Sequence, residues 1–161
     1  MRRRKLLTLG AAAVLNSMSE AQVKTAPAPS ALGKRVIRIY NDADGTSHIQ
    51  ELVIATKSVP GRTTRNAPAI PASGSTYSEY TSSATEDWHR APGRQFSISM
   101  SGEIEVEVSD GTRRAIHPGD MVFLEDLTGK GHITRLLSPV TNIFIRVPES
   151  FDVVAWARGD A

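Results

Sequence analysis

The sequence predicts an all-β protein with one folded domain, built as a sandwich or barrel of short strands. Short apolar or alternating segments recur from about residue 35 onward, and turns rich in Gly, Asp and Pro separate them. After residue 21 no segment shows the apolar stripe of an amphipathic helix. The chain has 161 residues, enough for one core and too few for two domains of ordinary size. Many short strands joined by such turns are typical of sandwiches and barrels.

The N-terminal 34 residues differ in composition from the rest. Residues 1–21 start with four basic residues, continue with an apolar run and end in small residues, which is the layout of a signal peptide. The apolar run is too short to span a bilayer, and the paired arginines resemble a twin-arginine signal. We therefore expect a periplasmic or secreted protein; a mitochondrial-type presequence and an uncleaved cytoplasmic tail are the alternatives. Residues 22–34 predict a Pro/Ala/Ser linker, so we expect the folded domain over residues 35–157.

Charge and cysteine content exclude several classes of function. Removing residues 1–21 takes four of the 19 basic residues and one of the 17 acidic residues, which leaves 15 and 16. The remaining domain is near neutral and has no basic stripe that would predict a nucleic-acid partner. The chain has no cysteine, which excludes disulfides, thiolate metal ligands and a cysteine nucleophile.

The first strands follow directly after the linker. The segments "RVIRIY" (35–40) and "SHIQELVI" (47–54) flank "NDADGT" and predict a hairpin. Residues 56–83 carry three prolines and many small polar residues. They predict a long irregular segment, and long ordered loops in compact domains often form lids or pocket walls.

The second half of the domain shows clearer alternation. "QFSISMSG" (95–102) and "EIEVEV" (103–108) each alternate apolar with polar residues, and "SDGT" then predicts a turn. Further strands are predicted at 121–124, 132–137, 141–147 and 151–156.

The order of these segments resembles the cupin superfamily, whose members are double-stranded β-helices, also called jelly-roll barrels. The resemblance covers about residues 35–155. It rests on Trp88-His89, then "APGRQFSISMSGEIEVEV", then "HPGDMVFLEDLTGKGH". Cupins typically show His-x-His, a glutamate four residues later, a glycine seven beyond it, a Pro-Gly-Asp turn and one more histidine. With Gly102 as that glycine, His89 and His132 occupy the outer histidine positions, while Ala91 and Gln95 replace the other two ligands.

The resemblance implies a divalent transition metal (Fe, Mn, Ni or Zn) held by His89, Gln95 and His132. Because glutamine brings no charge, we expect Glu125 to supply a carboxylate and complete a set of two histidines and one carboxylate. Adjacent strand residues point to opposite faces, so only one of Glu125 and Asp126 enters the pocket. We expect Glu125, acting as general acid or base beside His132; a solvated turn is the alternative.

Similar cupins include metal-dependent oxidoreductases and isomerases, some of them in polyketide pathways. The resemblance therefore implies such an enzyme, with a small organic substrate in the barrel pocket. Candidate substrate-binding residues are Trp88, Arg94 and Gln95, although Trp88 also fits a core position and Arg94 a surface one. The alternative function is a non-catalytic small-molecule-binding cupin that has lost its metal.

The sequence does not decide which face of the predicted strand at 95–101 points inward. The cupin register points Gln95 inward, whereas apolar alternation alone points Phe96, Ile98 and Met100 inward. Both faces are covered if the outer one is buried in a homodimer, the commonest symmetric assembly. We therefore expect a homodimer.

Overall fold

The structure is a computed structural model that describes residues 34–160. The expected signal segment and residues 22–33 of the expected linker lie outside these described residues. The described part forms the strands β1 (Arg35–Asn41), β2 (Ser47–Val53), β3 (Lys57–Ser58), β4 (Arg65–Asn66), β5 (Gly74–Tyr80), β6 (Ala84–His89), β7 (Gln95–Ser101), β8 (Ile104–Val108), β9 (Arg113–Ile116), β10 (Met121–Glu125), β11 (His132–Leu136) and β12 (Val140–Arg146), and then helix α1 (Val153–Arg158). No helix in this part of the chain is long and apolar enough to cross a membrane.

The strands form two facing sheets and one small hairpin. The larger sheet has the order β2-β1-β10-β7-β12-β5, the smaller one the order β6-β11-β8-β9, and β3 pairs only with β4. Strands β1 and β10 run parallel, whereas the other neighbouring strands of the described residues pair antiparallel. The prediction of an all-β, jelly-roll-type architecture is confirmed.

The main core lies between the two sheets, and strand alternation explains which residues enter it. On β1, Ile37 and Ile39 face the core between the sheets, while Val36 packs into a second cluster on the opposite face. The smaller sheet contributes Val106 and Leu136 to the same core. Both faces of the larger sheet are therefore covered over part of its area.

The second cluster covers the outer face of the larger sheet with the chain's own C-terminal segment. Phe96 is fully buried, and its ring centroid lies 4.8 Å from that of Phe123 and 5.4 Å from that of Trp156 on α1. Aromatic rings at such separations add favourable edge and offset contacts to their area of burial. The outer face of β7 is therefore apolar at Phe96 because helix α1 packs there.

The predicted strand at 151–156 is wrong, because residues 153–158 form helix α1. The Asp152 side chain caps the helix by accepting hydrogen bonds from the backbone N–H groups of Val154 and Ala155. Gly159 ends the helix with φ of 83°, a conformation that glycine adopts without a Cβ clash. These two caps outweigh the strand preference of the two β-branched valines.

The segment predicted to be irregular, 56–83, is more ordered than expected. It contains the short hairpin β3–β4 and the whole of β5, which forms an edge of the larger sheet. Its composition misled the prediction because β5 is largely exposed and carries small polar residues. Thr76 and Tyr80 of β5 nevertheless line the central cavity, so this segment forms part of a pocket wall.

A histidine outside the core ties two turns together. His48 Nε2 lies 3.0 Å from Asp42 Oδ2, and its Nδ1 lies 2.8 Å from Asp110 Oδ2. The hydrogen bond to Asp42 raises the pKa of His48 most, and the hydrogen bond to Asp110 raises it further. The protonated ring therefore bridges the β1–β2 turn and the β8–β9 turn.

Candidate functional site

A cavity of about 360 Å³ lies between the two sheets. Its walls are mainly aliphatic, from residues including Ile104, Val106, Ile116, Val122, Leu124 and Leu136. Its polar lining comes from Thr76, Tyr80, Glu86, His89, Gln95, Ser97, His132, Thr134 and Asn142. The edge strands β5 and β6 contribute the exposed lining residues Thr76 and Glu86, so the cavity opens between these two edges. A volume of this size suits a small organic ligand.

Two histidines meet in this cavity. His132 begins β11 and pairs in register with His89 at the end of β6, and a bulge follows between His132 and Thr134. The two ring centroids are 4.3 Å apart, with the ring planes tilted by 56°. His132 is 4% exposed, whereas His89 is half-buried. The structure brings together the two residues that occupy the outer histidine positions of the cupin pattern.

Each of these histidines uses its Nδ1 atom to bond a protein acceptor. His132 Nδ1 lies 2.6 Å from Asp126 Oδ2, and His89 Nδ1 lies 2.8 Å from the carbonyl oxygen of Asp87. A carbonyl and a carboxylate only accept, so Nδ1 carries the hydrogen in both rings. The Nε2 atom of each neutral imidazole therefore keeps its lone pair, available to accept a proton or to bind a ligand.

The expectation that Glu125 enters the pocket beside His132 is wrong about its position. Val122 and Leu124 of β10 line the cavity, so strand alternation turns Glu125 to the opposite face and Asp126 inward. The Glu125 carboxylate pairs with the side chain of Arg38 and lies 3.2 Å from Arg94 Nη1. Its side chain is only 6% exposed, so this pairing compensates a nearly buried charge.

The buried carboxylate beside His132 is Asp126, which is fully buried. One of its oxygens bonds His132, and the other, Oδ1, has no hydrogen-bond partner in the described part of the chain. Asp126 lies two and four residues after Leu124 and Val122, which line the cavity, so strand alternation places it on their face once that face is known.

Of the three expected substrate-binding residues, one lies in the cavity and two lie outside it. Gln95 is buried and lines the cavity, as the cupin register predicts. Arg94 precedes it and bonds the Phe151 carbonyl and Glu125 instead. Trp88 precedes His89 and lies under Lys130, whose Nζ is 3.7 Å from the ring centroid. Trp88 and Arg94 are not among the cavity-lining residues, because their immediate neighbours face inward.

The loop between β10 and β11 holds His132 against β6 through close backbone contact. Gly131 has φ of 78°, and a Cβ at this position would overlap the carbonyl group of His89. Ser47 Oγ donates a 2.5 Å hydrogen bond to the Gly131 carbonyl. Glycine is therefore required here both for its conformation and for the approach of the two strands.

The expected metal-ligand set does not fit as a whole. His89, Gln95 and His132 line the cavity, but Glu125 lies on the other side of the larger sheet. Between residues 34 and 160, no three His, Asp or Glu side chains are arranged to hold a metal ion. The Glu86 carboxylate is close to His89, with its Oε2 atom 3.8 Å from His89 Nε2. What a metal would meet in this cavity is the pair of histidine Nε2 atoms.

Comparisons with known proteins give only distant matches. No family model and no curated protein matches the sequence. Among solved structures, protein NMB1881 from Neisseria meningitidis is 17% identical, with a TM-score of 0.39, over 52% of this chain and 84% of that one. A protein named for ethanolamine utilization, protein Q of Salmonella typhimurium, is 11% identical, with a TM-score of 0.38, over 73% of this chain and 98% of that one. Neither likeness carries information about the activity of this chain.

Proposed function

We propose that this chain is a cupin-type enzyme that moves a proton on a small organic molecule, an isomerase-type reaction in the central cavity. The observation that carries the proposal is the hydrogen bond from Nδ1 of His132, which lines a largely aliphatic cavity, to the buried Asp126 carboxylate behind it. An imidazole held by a buried carboxylate is the usual arrangement of a histidine general base.

The roles follow from the hydrogen-bond geometry. His132 Nε2 accepts a proton from a carbon atom next to a carbonyl group of the substrate. The buried Asp126 carboxylate then stabilises the imidazolium through the Nδ1 hydrogen bond, because the two opposite charges attract strongly away from water. The same Nε2 returns the proton to another atom of the substrate, so the molecule is isomerised without any other reactant.

Two residues at the cavity mouth support this chemistry. His89 places a second imidazole beside His132 and is open to solvent, so it can exchange protons with water. Burial, and next the charge of Glu86, raise the pKa of the Tyr80 phenol. Tyr80 therefore stays protonated at neutral pH and can donate a hydrogen bond to a carbonyl oxygen.

Deuterium exchange at a carbon next to a carbonyl group tests the proposal. 2-Tetralone, an aromatic ketone small enough to fit the cavity, is incubated with the protein in D₂O and followed by NMR. We expect His132→Gln to reduce the protein-dependent exchange by about a hundredfold or more, because glutamine keeps a donor for Asp126 but has no basic nitrogen. Asp126→Asn should reduce it by about a hundredfold as well.

The control is His117→Ala, since His117 is exposed and outside the cavity; it should exchange at the wild-type rate. Exchange that is equal in the wild type and His132→Gln would contradict the proposed base. Binding of 2-tetralone without any exchange would instead support the non-catalytic small-molecule-binding function.

A metal-dependent oxidoreductase is the second candidate. The observation that favours it is that the two lone-pair Nε2 atoms lie in neighbouring rings on one cavity wall. A carboxylate behind a metal-bound histidine is also common in metal sites. Elemental analysis of the purified protein, with His89→Ala and His132→Ala, tests this candidate: a stoichiometric divalent metal lost in both variants supports it.

Assembly and location complete the proposal. We infer a homodimer, since Met100 and Tyr77 on the outer face of the larger sheet remain more than half exposed. Export is inferred from the order of basic, apolar and small residues in residues 1–21.

A further inference from the structure

A polar strip lies on the inward face of the larger sheet. It consists of Gln95, Ser97 and Ser99 on β7 and Asn142 on β12, and all of these except Ser99 line the cavity. Ser99 and Asn142 are partners in the strand register, and all four side chains are at least 91% buried. The strip belongs to the sheet opposite the one that carries His132, so a ligand between the sheets can reach both walls.

Part of this strip lacks hydrogen-bond partners. Asn142 Oδ1 and Ser99 Oγ are both buried and unpartnered in the described part of the chain, and Asn142 lines the cavity. Leaving a buried acceptor unpaired is unfavourable, so nearly all such groups in folded proteins bond a protein group, a water or a ligand. Asn142 therefore brings a buried, unpaired acceptor to the cavity wall, and a donor on a bound molecule would satisfy it.

The rest of the lining constrains the charge of that molecule. The described lining residues include no lysine or arginine, and the ionisable ones are Tyr80, Glu86, His89 and His132. An anionic ligand would lose its hydration without gaining a permanent positive partner, which is strongly unfavourable in an aliphatic cavity.

We propose that the substrate is a neutral, mostly apolar carbonyl compound that also carries a hydroxyl group. The hydroxyl group donates to Asn142 Oδ1, and the carbon next to the carbonyl group faces His132 Nε2. This substrate class rests on the proposed proton transfer at His132; the binding preference for a neutral hydroxylated compound rests on the cavity alone. Asn142 is thus a specificity-determining residue on the wall opposite the base.

Three related probes test the substrate class by calorimetric titration: 6-hydroxy-2-tetralone, 2-tetralone and the 6-carboxylate of 2-tetralone. We expect the hydroxylated ketone to bind the wild-type protein about two- to tenfold more tightly than 2-tetralone, the contribution of one neutral hydrogen bond. The carboxylate should bind at least about tenfold more weakly than the hydroxylated ketone.

The variant Asn142→Leu should abolish the preference for the hydroxyl group, so that it binds 6-hydroxy-2-tetralone and 2-tetralone with affinities within about twofold of each other. The matched control is Thr141→Val, because Thr141 is the neighbour on β12 whose hydroxyl bonds Tyr77 on the outer face. It should keep the wild-type preference.

The binding measurements separate this inference from the proposed function. Equal affinity of the wild type for 2-tetralone and its hydroxylated form, or tighter binding of the carboxylate, would overturn the inference even if His132-dependent exchange is found. A hydroxyl preference that disappears in Asn142→Leu supports the assigned role of Asn142. If His132-dependent exchange is then absent, the proton-transfer function is wrong, while the binding preference remains.

Discussion

Replacing Gly131 with alanine should destabilise the fold far more than the same change at Gly111, a positive-φ glycine with open space around it. Gly131 has φ of 78°, and this conformation costs a residue with a Cβ about 1–2 kcal/mol. At Gly131 the added Cβ would also overlap the backbone carbonyl of His89 and come within 2.9 Å of Arg90 N. Backbone atoms cannot rotate away as a side chain can, so β6 and the start of β11 must separate. We expect a total loss of about 3–5 kcal/mol, the range of the most disruptive single substitutions.

Gly111→Ala is the matched control. Gly111 has a similar φ of 86°, but nothing lies within 4 Å of an added Cβ. It should lose only the conformational part, about 1–2 kcal/mol. Urea denaturation of both variants gives the two free energies of unfolding. Equal losses in Gly131→Ala and Gly111→Ala would refute the argument that the β6–β11 contact requires glycine.

Three further predictions concern residues outside the cavity. Glu125→Gln should lower the free energy of unfolding by about 1–3 kcal/mol, because it leaves two arginines without their nearly buried partner. The variant should keep its proton-exchange activity. Lost activity at unchanged stability would instead indicate a catalytic role for Glu125. Because the pKa of His48 is raised in the folded protein, its ion pairs stabilise the fold fully below about pH 6.5 and are lost as the pH rises through the folded-state pKa. The wild type should therefore lose stability relative to His48→Gln over that pH rise. A difference in stability that does not change with pH would contradict this. Light scattering at micromolar concentration should give a dimer mass that Met100→Glu shifts toward the monomer, and a monomeric wild type would count against the homodimer.

Much of the fold follows from local sequence patterns. The alternation in "EIEVEV" and the turn in "NDADGT" predict β8 and the β1–β2 hairpin, because each is decided by neighbouring residues. The patterns fail where tertiary contacts decide. The pair Val153-Val154 favours a strand locally, but capping at Asp152 and burial of Trp156 make the segment a helix.

The candidate site could be predicted only in part. The resemblance to cupins predicts that His89, Gln95 and His132 share one pocket, and in the structure all three line the cavity. The choice between Glu125 and Asp126 depended on which face of β10 is inward. Apolar residues cover both faces of β10, so hydrophobicity alone does not decide it. Asn142 belongs to no sequence motif, and its proposed role rests on a buried side-chain oxygen that has no partner among the described residues.

The most direct test of the central claim is the tautomeric state of His132, measured by long-range ¹H–¹⁵N NMR on the ¹⁵N-labelled protein. The hydrogen bond from Nδ1 to Asp126 predicts that neutral His132 carries its hydrogen on Nδ1, which leaves Nε2 as the basic atom in the cavity. In Asp126→Asn the negative charge that favours a hydrogen on Nδ1 is gone, so the equilibrium should shift toward the tautomer with the hydrogen on Nε2. A hydrogen found on Nε2 of His132 in the wild-type protein would contradict the proposed general base.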